Sequence, residues 1–158
     1  MGTVVKYESL TDEANQVMFW AGEIAKKLGY DCIGTETILV ALLSANGGDQ
    51  NRAERLIRSM GTSSGRVIFE TLLLIKKFDR LVTVNPIPLT PRAKKVIEFA
   101  IGEAKAHHLS VAGPEYLLLG LLLEQDGVAA QVLMNLDLNV REAREQLLVL
   151  NDEDSKRE

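Results

Sequence analysis

Two glutamates, Glu36 and Glu115, occupy equivalent places in two similar stretches of the chain and are the residues best suited to bind a charged ligand. Each follows the predicted start of an apolar helix. A threonine, Thr11 or Thr90, caps the helix that precedes it in each stretch. The N–H groups at a helix N-terminus bind anions, whereas a glutamate accepts hydrogen bonds from a cation. The combination suits a zwitterionic side chain.

A structural role explains the same residue types. A carboxylate in the first helical turn stabilises a helix by about 0.3–1 kcal/mol through the helix dipole, and threonine is an ordinary N-cap. From the residues alone, both interpretations of Glu36 and Glu115 stay open.

The other reactive side chains form no recognisable catalytic or metal-binding pattern. His107 and His108 adjoin each other at a predicted helix end, where imidazolium complements the dipole, and no third ligand stands at a recognisable spacing. Cys32 has no partner placed by the sequence to activate it and is predicted to be a small buried residue. No P-loop or HExxH motif occurs. We therefore expect no enzyme activity, no metal and no cofactor.

The two stretches are copies of one unit. Their matching residues keep one constant offset of 79 positions, and the matches include small residues, bulky residues, a turn glycine and the acid. The pairs are Thr11 and Thr90, Ala14 and Ala93, Val17 and Val96, Ala21 and Ala100, Ala25 and Ala104, Gly34 and Gly113, Glu36 and Glu115, Leu39 and Leu118, and Leu42 and Leu121. Each unit leaves an apolar face open, so the two are expected to pack about a pseudo-two-fold axis.

Capping residues and apolar periodicity predict an all-α fold of about eight helices, as two four-helix repeats. The predicted helix starts are Thr11, Thr35, Asp49, Ser63 or Ser64, Thr90, Pro114, Asp126 or Gly127, and Asn139. The leucines of Leu39 to Leu43 and Leu117 to Leu122 are expected at the centre. The fourth helix is expected to turn Val67, Ile68, Leu72 and Ile75 inward.

The predicted boundaries describe one double-repeat domain over residues 1–150. Repeat one covers about 10–77, a connector with two prolines covers 78–89, and repeat two covers about 90–150. The last helix is expected to end at Leu150 and the charged tail 151–158 to fray. The matching residues further along the two units keep an offset of 76 instead of 79. This change predicts that the first unit has three extra residues in its loop from Gly47 to Gln50.

Composition excludes several classes of function. The chain has 158 residues and a net charge of −4, without the basic cluster that binding to nucleic acid requires. The longest apolar run, Tyr116 to Leu123, is too short to cross a membrane. The N-terminus lacks a signal peptide and the single cysteine cannot form an internal disulfide, so a cytoplasmic location is expected.

The segments LTPRAKKVIEFAIGEA, VAGPEYLLLGLLLEQDGVAAQVL and IGTETILVALL resemble the repeats of the Clp N-terminal domain, most of all the ClpC type. This double four-helix module precedes the ATPase rings of Clp unfoldases. The resemblance covers roughly residues 10–150. It implies a non-catalytic module that receives protein substrates and adaptor proteins and passes them to a Clp ATPase or protease ring. For the ClpC branch it also implies phosphoarginine binding, with one pocket per repeat.

The resemblance implies a phosphoarginine pocket in the second repeat, in which Glu115 binds the guanidinium while Thr90 and Lys94 bind the phosphate. Pro114 stands where the family commonly has threonine, so one hydroxyl is missing.

In the first repeat Thr11 and Glu36 match the family. Asn15 stands where the second repeat has its lysine, and Asp12 and Glu13 replace the usual basic residues. Phosphoarginine is therefore expected to bind weakly or not at all there, and adaptor or peptide docking is the alternative use of the same surface.

Three classes of function remain from the sequence. The first is the recognition module of a Clp unfoldase, and the second is a free-standing accessory protein that docks on a Clp protease and modulates it. The third is a small helical enzyme or ligand carrier, which the missing catalytic motifs disfavour. The reading frame after Glu158 separates the first two: a P-loop further on favours the unfoldase, and a stop codon favours the accessory protein.

Overall fold

Local capping signals set the start of most helices in a computed structural model of the chain, which describes residues 5–44 and 51–157. The side chains of Thr11, Ser63, Thr90 and Asn139 each accept the backbone N–H three residues further on. The described residues form eight helices and no strand, which confirms the predicted all-α fold. The helices are α1 Asp12–Lys27, α2 Thr35–Ser44, α3 Arg52–Ser59, α4 Ser64–Leu74, α5 Pro91–Ala106, α6 Pro114–Glu124, α7 Val128–Asn135 and α8 Val140–Lys156.

The helix starts repeat with the offsets found in the sequence. α5 and α6 begin 79 residues after α1 and α2, whereas α7 and α8 begin 76 residues after α3 and α4. The change of offset falls between the second and third helices of each unit. The loop predicted to hold the extra residues, and Asp49 as the predicted start of the third helix, lie outside the described residues. The described α3 begins at Arg52, and Asn51 is its N-cap.

Two parallel backbone bridges join the units in a symmetrical way. Leu10 pairs with Ala112, and Ile33 pairs with Leu89. Leu10 and Leu89 are equivalent at the offset of 79, as are Ile33 and Ala112. Each bridge therefore joins the segment before the first helix of one unit to the segment before the second helix of the other, as a pseudo-two-fold axis requires. The start of α2 consequently lies beside the start of α5, and the start of α6 beside the start of α1.

The second helix of each unit forms the centre of the core, as predicted. Burying each leucine side chain contributes about 1.5–3 kcal/mol before the conformational entropy cost of folding. The helices α5 and α6 pack closely, because Gly120 has no side chain and an added Cβ would collide with the backbone of Val96. The fully buried residues of the two central helices include Ile38, Leu39, Leu42, Leu117, Leu118, Leu119 and Leu121.

Among the described residues, no single helix has the length and apolar character needed to cross a membrane. The helices α6 and α7, which meet at a bend of 90°, pass that test only when they are taken together.

Three local predictions are wrong. The last helix does not end at Leu150 but continues to Lys156, because Asn151 and Asp154 on its last turns bond to Arg52. Leu72 is 50% exposed, since the buried stripe of α4 runs through Val67 and Thr71. The predicted cap Thr35 instead lies within α2, as described next.

Thr35 is the first residue of α2, and its hydroxyl serves the other unit. Its Oγ1 accepts the backbone N–H of Ala129 at 3.3 Å, near the start of α7. The N-cap of α7 is Gly127, which has no side chain to perform this role. One unit thus supplies the capping group for a helix of the other.

Candidate functional site

The starts of three helices surround a cavity of about 520 Å³, here called the Glu36 pocket. This volume lies within the range of about 300–1,000 Å³ that is usual for small-ligand sites. The three helices come from both units, because the bridge from Ile33 to Leu89 brings α2 and α5 together. The lining residues are Gly34, Thr35 and Glu36 from the start of α2, Thr90, Pro91 and Arg92 from the start of α5, and Gly127 and Val128 from the start of α7.

The Glu36 carboxylate is partly exposed in this pocket. Within the described parts of the chain, no lysine, arginine or histidine forms an ion pair with Glu36. The carboxylate folds back over Gly34, where an added Cβ would lie 2.6 Å from Glu36 Oε1. The glycine therefore sets the position of the acid, which remains available to a cation from outside.

An anion-binding group faces the same pocket at the start of α5. Thr90 Oγ1 accepts the N–H of Ala93 at 3.1 Å, and Pro91 has no N–H, so the N–H of Arg92 is left without a partner in its helix. The Arg92 side chain is 61% exposed, and its Nε lies 3.7 Å from Glu124 Oε1. The Arg92 residue, whose guanidinium pairs with Glu124, thus lines the same pocket as the Glu36 carboxylate.

A second cavity of about 360 Å³ adjoins the Glu36 pocket. The two cavities share the lining residues Gly34, Glu36, Thr90 and Val128. The outer wall of the second cavity carries the ring of Phe78, with Lys76 Nζ at 5.5 Å and Arg80 Cζ at 5.9 Å from the ring centroid. We call this part the Phe78 groove. Its further lining residues are Tyr30, Asp31, Cys32, Leu74 and Ile75. The two cavities form one continuous depression with an acid at the junction, an apolar wall and cations at its rim.

The pseudo-two-fold axis relates the Glu36 pocket to an equivalent site around Glu115, at the start of α6, which we call the Glu115 pocket. A side chain of the protein itself, Arg52, occupies this site. Arg52 Nε donates to Glu115 Oε2 at 2.9 Å. The two terminal nitrogens of the same guanidinium donate to Asp154 Oδ2 and Asn151 Oδ1. Arg55 adds a bond to Asp154 Oδ1 at 3.1 Å. Where the Glu36 pocket is open, this one holds a fully bonded arginine.

The two glutamates have the same conformation and different surroundings. A Cβ added at Gly113 would collide with Glu115 Oε1, just as one at Gly34 would collide with Glu36. Glu115 is only 6% exposed. Burial raises the pKa of Glu115 above its ordinary value, the Arg52 guanidinium offsets part of that rise, and the charge of Glu13 adds to it. The Glu115 pocket is therefore an acidic site with its own counter-ion.

The structure groups the predicted residues differently from the sequence interpretation. Thr90 lies with Glu36, and Glu115 lies against Arg52, so the predicted pocket of Glu115 with Thr90 inside one repeat is wrong. The bridges between the units cause this exchange. Lys94 is exposed and lines neither cavity.

The remaining site residue, Thr11, caps α1 by accepting the N–H of Ala14 at 3.1 Å. Asn15, the counterpart of Lys94, bonds at 2.7 Å to the backbone N–H of Tyr7, so its amide fixes the segment before the helix. The start of α1 keeps the cap of its counterpart and has acidic residues in its first turn.

Sequence reasoning missed Arg52, Arg92 and Val128. A comparison of the two units at equivalent positions identifies all three: Arg92 replaces Glu13 at the offset of 79, and Val128 replaces Arg52 at the offset of 76. At these positions the two units differ in charge. Residues that differ between the repeats therefore indicate the lining of the two pockets better than residues that match.

The histidines and the cysteine have local roles. His107 Nδ1 lies 2.7 Å from the hydroxyl oxygen of the buried Tyr116. His108 has a φ of 62° at the position equivalent to Gly29, which has a φ of 78°. Cys32 is partly exposed, whereas the sequence predicted a buried residue. The partial loss of solvent around its thiol, together with Asp31, raises the pKa of that thiol. No cluster of three or more metal-ligating side chains occurs among the residues that the structure describes.

The family model for the Clp repeat (R) N-terminal domain matches this chain twice, over residues 9–133 and 88–157. The chain belongs to that family. This result confirms the resemblance found in the sequence, and the second match covers the second repeat.

Curated relatives are similar over most of this chain. An ATP-dependent Clp protease ATP-binding subunit ClpC of Staphylococcus aureus is 40% identical over 139 residues, which is 88% of this chain and 16% of the relative. A ClpA homolog of Guillardia theta is 38% identical over 144 residues, which is 91% of this chain and 17% of the relative. The chain thus spans less than a fifth of these relatives' length.

Solved structures share the fold. The N-terminal domain of the chaperone ClpD from Arabidopsis thaliana has a TM-score of 0.66 and 20% identity, and the match covers 90% of this chain and 97% of that one. The N-terminal domain of Hsp104 from Candida albicans has a TM-score of 0.73 and 18% identity, with 91% and 92% covered. At these identities the likeness concerns the fold alone.

Proposed function

We propose that this chain is a non-catalytic recognition domain of a Clp ATPase system, which receives protein substrates or adaptor proteins and binds phosphorylated arginine side chains in the Glu36 pocket. Membership of the Clp N-terminal domain family and the similarity to ATP-binding subunits of Clp proteases support the first part. The second part rests on one observation: the Glu36 carboxylate, which has no ion-pair partner among the described residues, lines the same cavity as a helix N-terminus and an arginine.

The charges of the pocket fit the two ends of a phosphoarginine side chain. Glu36 accepts hydrogen bonds from the guanidinium, and the N–H and side chain of Arg92 bind the phosphate at the start of α5. Thr90 holds that helix start in place, and Lys94, one turn further on, adds to the positive potential around it. Thr11 and Glu115, the other predicted site residues, belong to the pocket that Arg52 occupies, so they are not part of this binding site.

The Phe78 groove supports binding of an arginine within a protein segment rather than as a free amino acid. Leu74, Ile75 and Phe78 give an apolar wall beside Glu36, against which the residues flanking the arginine can pack. Lys76 and Arg80 at the rim suit acidic neighbours in the bound segment.

Isothermal titration with free phosphoarginine tests the proposal. Wild-type protein should bind one equivalent, and Glu36→Gln should lose affinity by about tenfold to a hundredfold, since hydrogen bonds to charged groups contribute about 1.5–3 kcal/mol. Glu98→Gln removes the same charge from an exposed position of α5 and should bind like wild type. Unmodified arginine should bind more weakly than phosphoarginine. The absence of wild-type binding at millimolar ligand, or unchanged binding by Glu36→Gln, would contradict the proposal.

A further inference from the structure

Arg52 makes the contacts that a bound arginine ligand would make. Its guanidinium donates to Glu115 from Nε at 2.9 Å and to Asp154 and Asn151 from its terminal nitrogens. All three nitrogens of its planar fork therefore have acceptors, and the side chain is 26% exposed. A surface ion pair needs only one such bond, whereas all three nitrogens of Arg52 are bonded.

The equivalent position in the other unit carries a residue that cannot donate. Arg52 is the first residue of α3, and Val128 is the first residue of α7. Val128 lines the Glu36 pocket, so the pocket has an apolar side chain where its counterpart has an arginine. At the same offset of 76, Asn151 and Asp154 correspond to Ile75 and Phe78, which line the Phe78 groove. The groups that hold Arg52 are thus replaced by apolar residues beside Glu36.

We infer that Arg52 is an internal ligand that fills one of two symmetry-related guanidinium pockets, so that the chain offers one external site instead of two. The residue at the first position of the third helix in each unit decides which pocket is open: arginine closes the Glu115 pocket, and valine leaves the Glu36 pocket open. The identity of the external ligand rests on the proposed function, whereas the closure by Arg52 rests on the contacts alone.

The two pockets also select different forms of arginine. The start of α1 beside the Glu115 pocket carries Asp12 and Glu13. Asp154 accepts a hydrogen bond from a terminal nitrogen of the Arg52 guanidinium. These carboxylates repel a phosphate and stabilise a bare guanidinium. The start of α5 beside the Glu36 pocket carries Arg92 in place of Glu13, which suits a phosphate. Once emptied, the Glu115 pocket should accept unmodified arginine and reject phosphoarginine.

The central experiment replaces Arg52 by the residue of its counterpart. The Arg52→Val protein is titrated with N-acetylarginine amide, which has a guanidinium and no carboxylate, and binding is followed by thermal unfolding and by amide NMR shifts. Because the substitution leaves Glu115 buried without its counter-ion, the unfolding temperature should fall, and millimolar N-acetylarginine amide should restore part of the loss. The amide signals of Gly113 and Glu115 should shift on binding.

Arg55→Val is the matched control. This variant also loses an arginine bond to Asp154, but it leaves Arg52 on Glu115. N-acetylarginine amide should neither stabilise this variant nor shift the amide signals of Gly113 and Glu115. The double variant Glu36→Gln and Arg52→Val should keep the new binding, which shows that the new site does not depend on the Glu36 pocket.

The reverse substitution tests the inference without altering Arg52. In Val128→Arg the new guanidinium should reach Glu36, and phosphoarginine affinity should fall at least about tenfold.

The outcomes separate the two proposals. Absence of phosphoarginine binding by wild type overturns the proposed function and leaves the Arg52→Val result decisive for the inference. A folded Arg52→Val protein that binds no N-acetylarginine amide, or a Val128→Arg protein that binds phosphoarginine as wild type does, overturns the closure by Arg52.

Discussion

The Glu36 and Glu115 pockets have the same backbone arrangement and differ in the charge of their side chains. Both are built where the second helix of one unit meets the first helix of the other, and both place a glutamate over a glycine. The first joins its acid to a helix start with basic side chains, and the second joins its acid to a helix start with acidic ones. The differing pairs are Pro91 and Asp12, Arg92 and Glu13, Lys94 and Asn15, and Val128 and Arg52.

The difference shows how two copies of one repeat can carry different side chains at equivalent pockets without a change of fold. Buried residues such as Leu39 and Leu118 keep the units in register, since core packing tolerates few changes. Exposed charges at the helix starts alter stability by only about 0–1 kcal/mol each, so they can differ between the units. The Glu36 pocket is thereby left open, and the Glu115 pocket holds an internal ion pair.

The symmetry of the core gives the largest expected effect. Leu39→Ala and Leu118→Ala remove equivalent, fully buried side chains, so each should lower the free energy of unfolding by about 2–5 kcal/mol. Leu148→Ala, at a position 58% exposed, should cost less than about 0.5 kcal/mol. Urea denaturation measures all three. If only one of the two core variants loses stability, the units do not contribute equally to the core.

The charge difference predicts that Arg92→Glu converts the open pocket to the acidic character of its counterpart. Phosphoarginine affinity should fall by about tenfold to a hundredfold, as a charged hydrogen bond is lost and a repulsion is added. Lys95→Glu makes the same charge change at an exposed position of α5 that lines neither cavity, and it should have little effect. Equal losses in both variants, measured by isothermal titration, would mean that overall charge rather than pocket geometry governs binding.

The units also differ in how their third helices are capped. Asn51 caps α3 by accepting the N–H groups of Ala53 and Glu54 at 3.0 and 3.2 Å, and its amide donates to Leu42 O at 3.0 Å. Asn51→Ala should therefore cost about 1–2 kcal/mol. Thr35→Val removes the single long bond to α7 and should cost about 0.5–1 kcal/mol. An unchanged urea midpoint for Thr35→Val would show that α7 needs no cap from the other unit.

The smallest expected effect is a pH dependence of the closed pocket. The pKa of Asp154 lies below its ordinary value, chiefly because Arg55 donates a hydrogen bond to it and because Arg52 adds a second positive charge. As the pH falls, Asp154 is therefore protonated in the unfolded chain before it is protonated in the folded protein. The stabilisation is present above about pH 4 and is lost as the pH falls further. The stability difference between wild type and Asp154→Asn should therefore shrink from pH 7 to pH 3.

A variant pair is needed because Glu115 acts in the opposite direction. The pKa of Glu115 is raised in the folded protein, so its contribution to the free energy of unfolding falls as the pH rises through the folded-state pKa. Urea midpoints of wild type and Asp154→Asn at the two pH values isolate the contribution of Asp154. A difference that stays constant would show that the Asp154 carboxylate is not coupled to the arginines.

The sequence predicted the helices well because their signals are local. Caps such as Thr11, Thr90 and Asn139 and the constant offset between units were enough to place most helix starts and the central leucines. The length of α8 was not predictable, since the residues after Leu150 have no apolar pattern and are held by Arg52 and Arg55 from a distant part of the chain.

The composition of the candidate site could be predicted only in part. The glutamates and threonines were found, but their grouping depends on which helix starts meet across the pseudo-two-fold axis. A repeat offset relates equivalent residues and does not say whether Glu36 faces Thr11 or Thr90. The backbone bridges decide that question, and they involve residues such as Leu10 and Ile33 that have no distinguishing side chain.

The most direct test of the difference between the pockets is an amide NMR map of phosphoarginine binding to the wild-type protein. We predict shifts of the amide signals at residues 34–36, 90 and 92–94, around the Glu36 pocket, and none at residues 11–15, 113 and 115, around Arg52 and Glu115. Equal shifts at both sets, or shifts confined to the second set, would contradict the assignment of one open and one closed pocket.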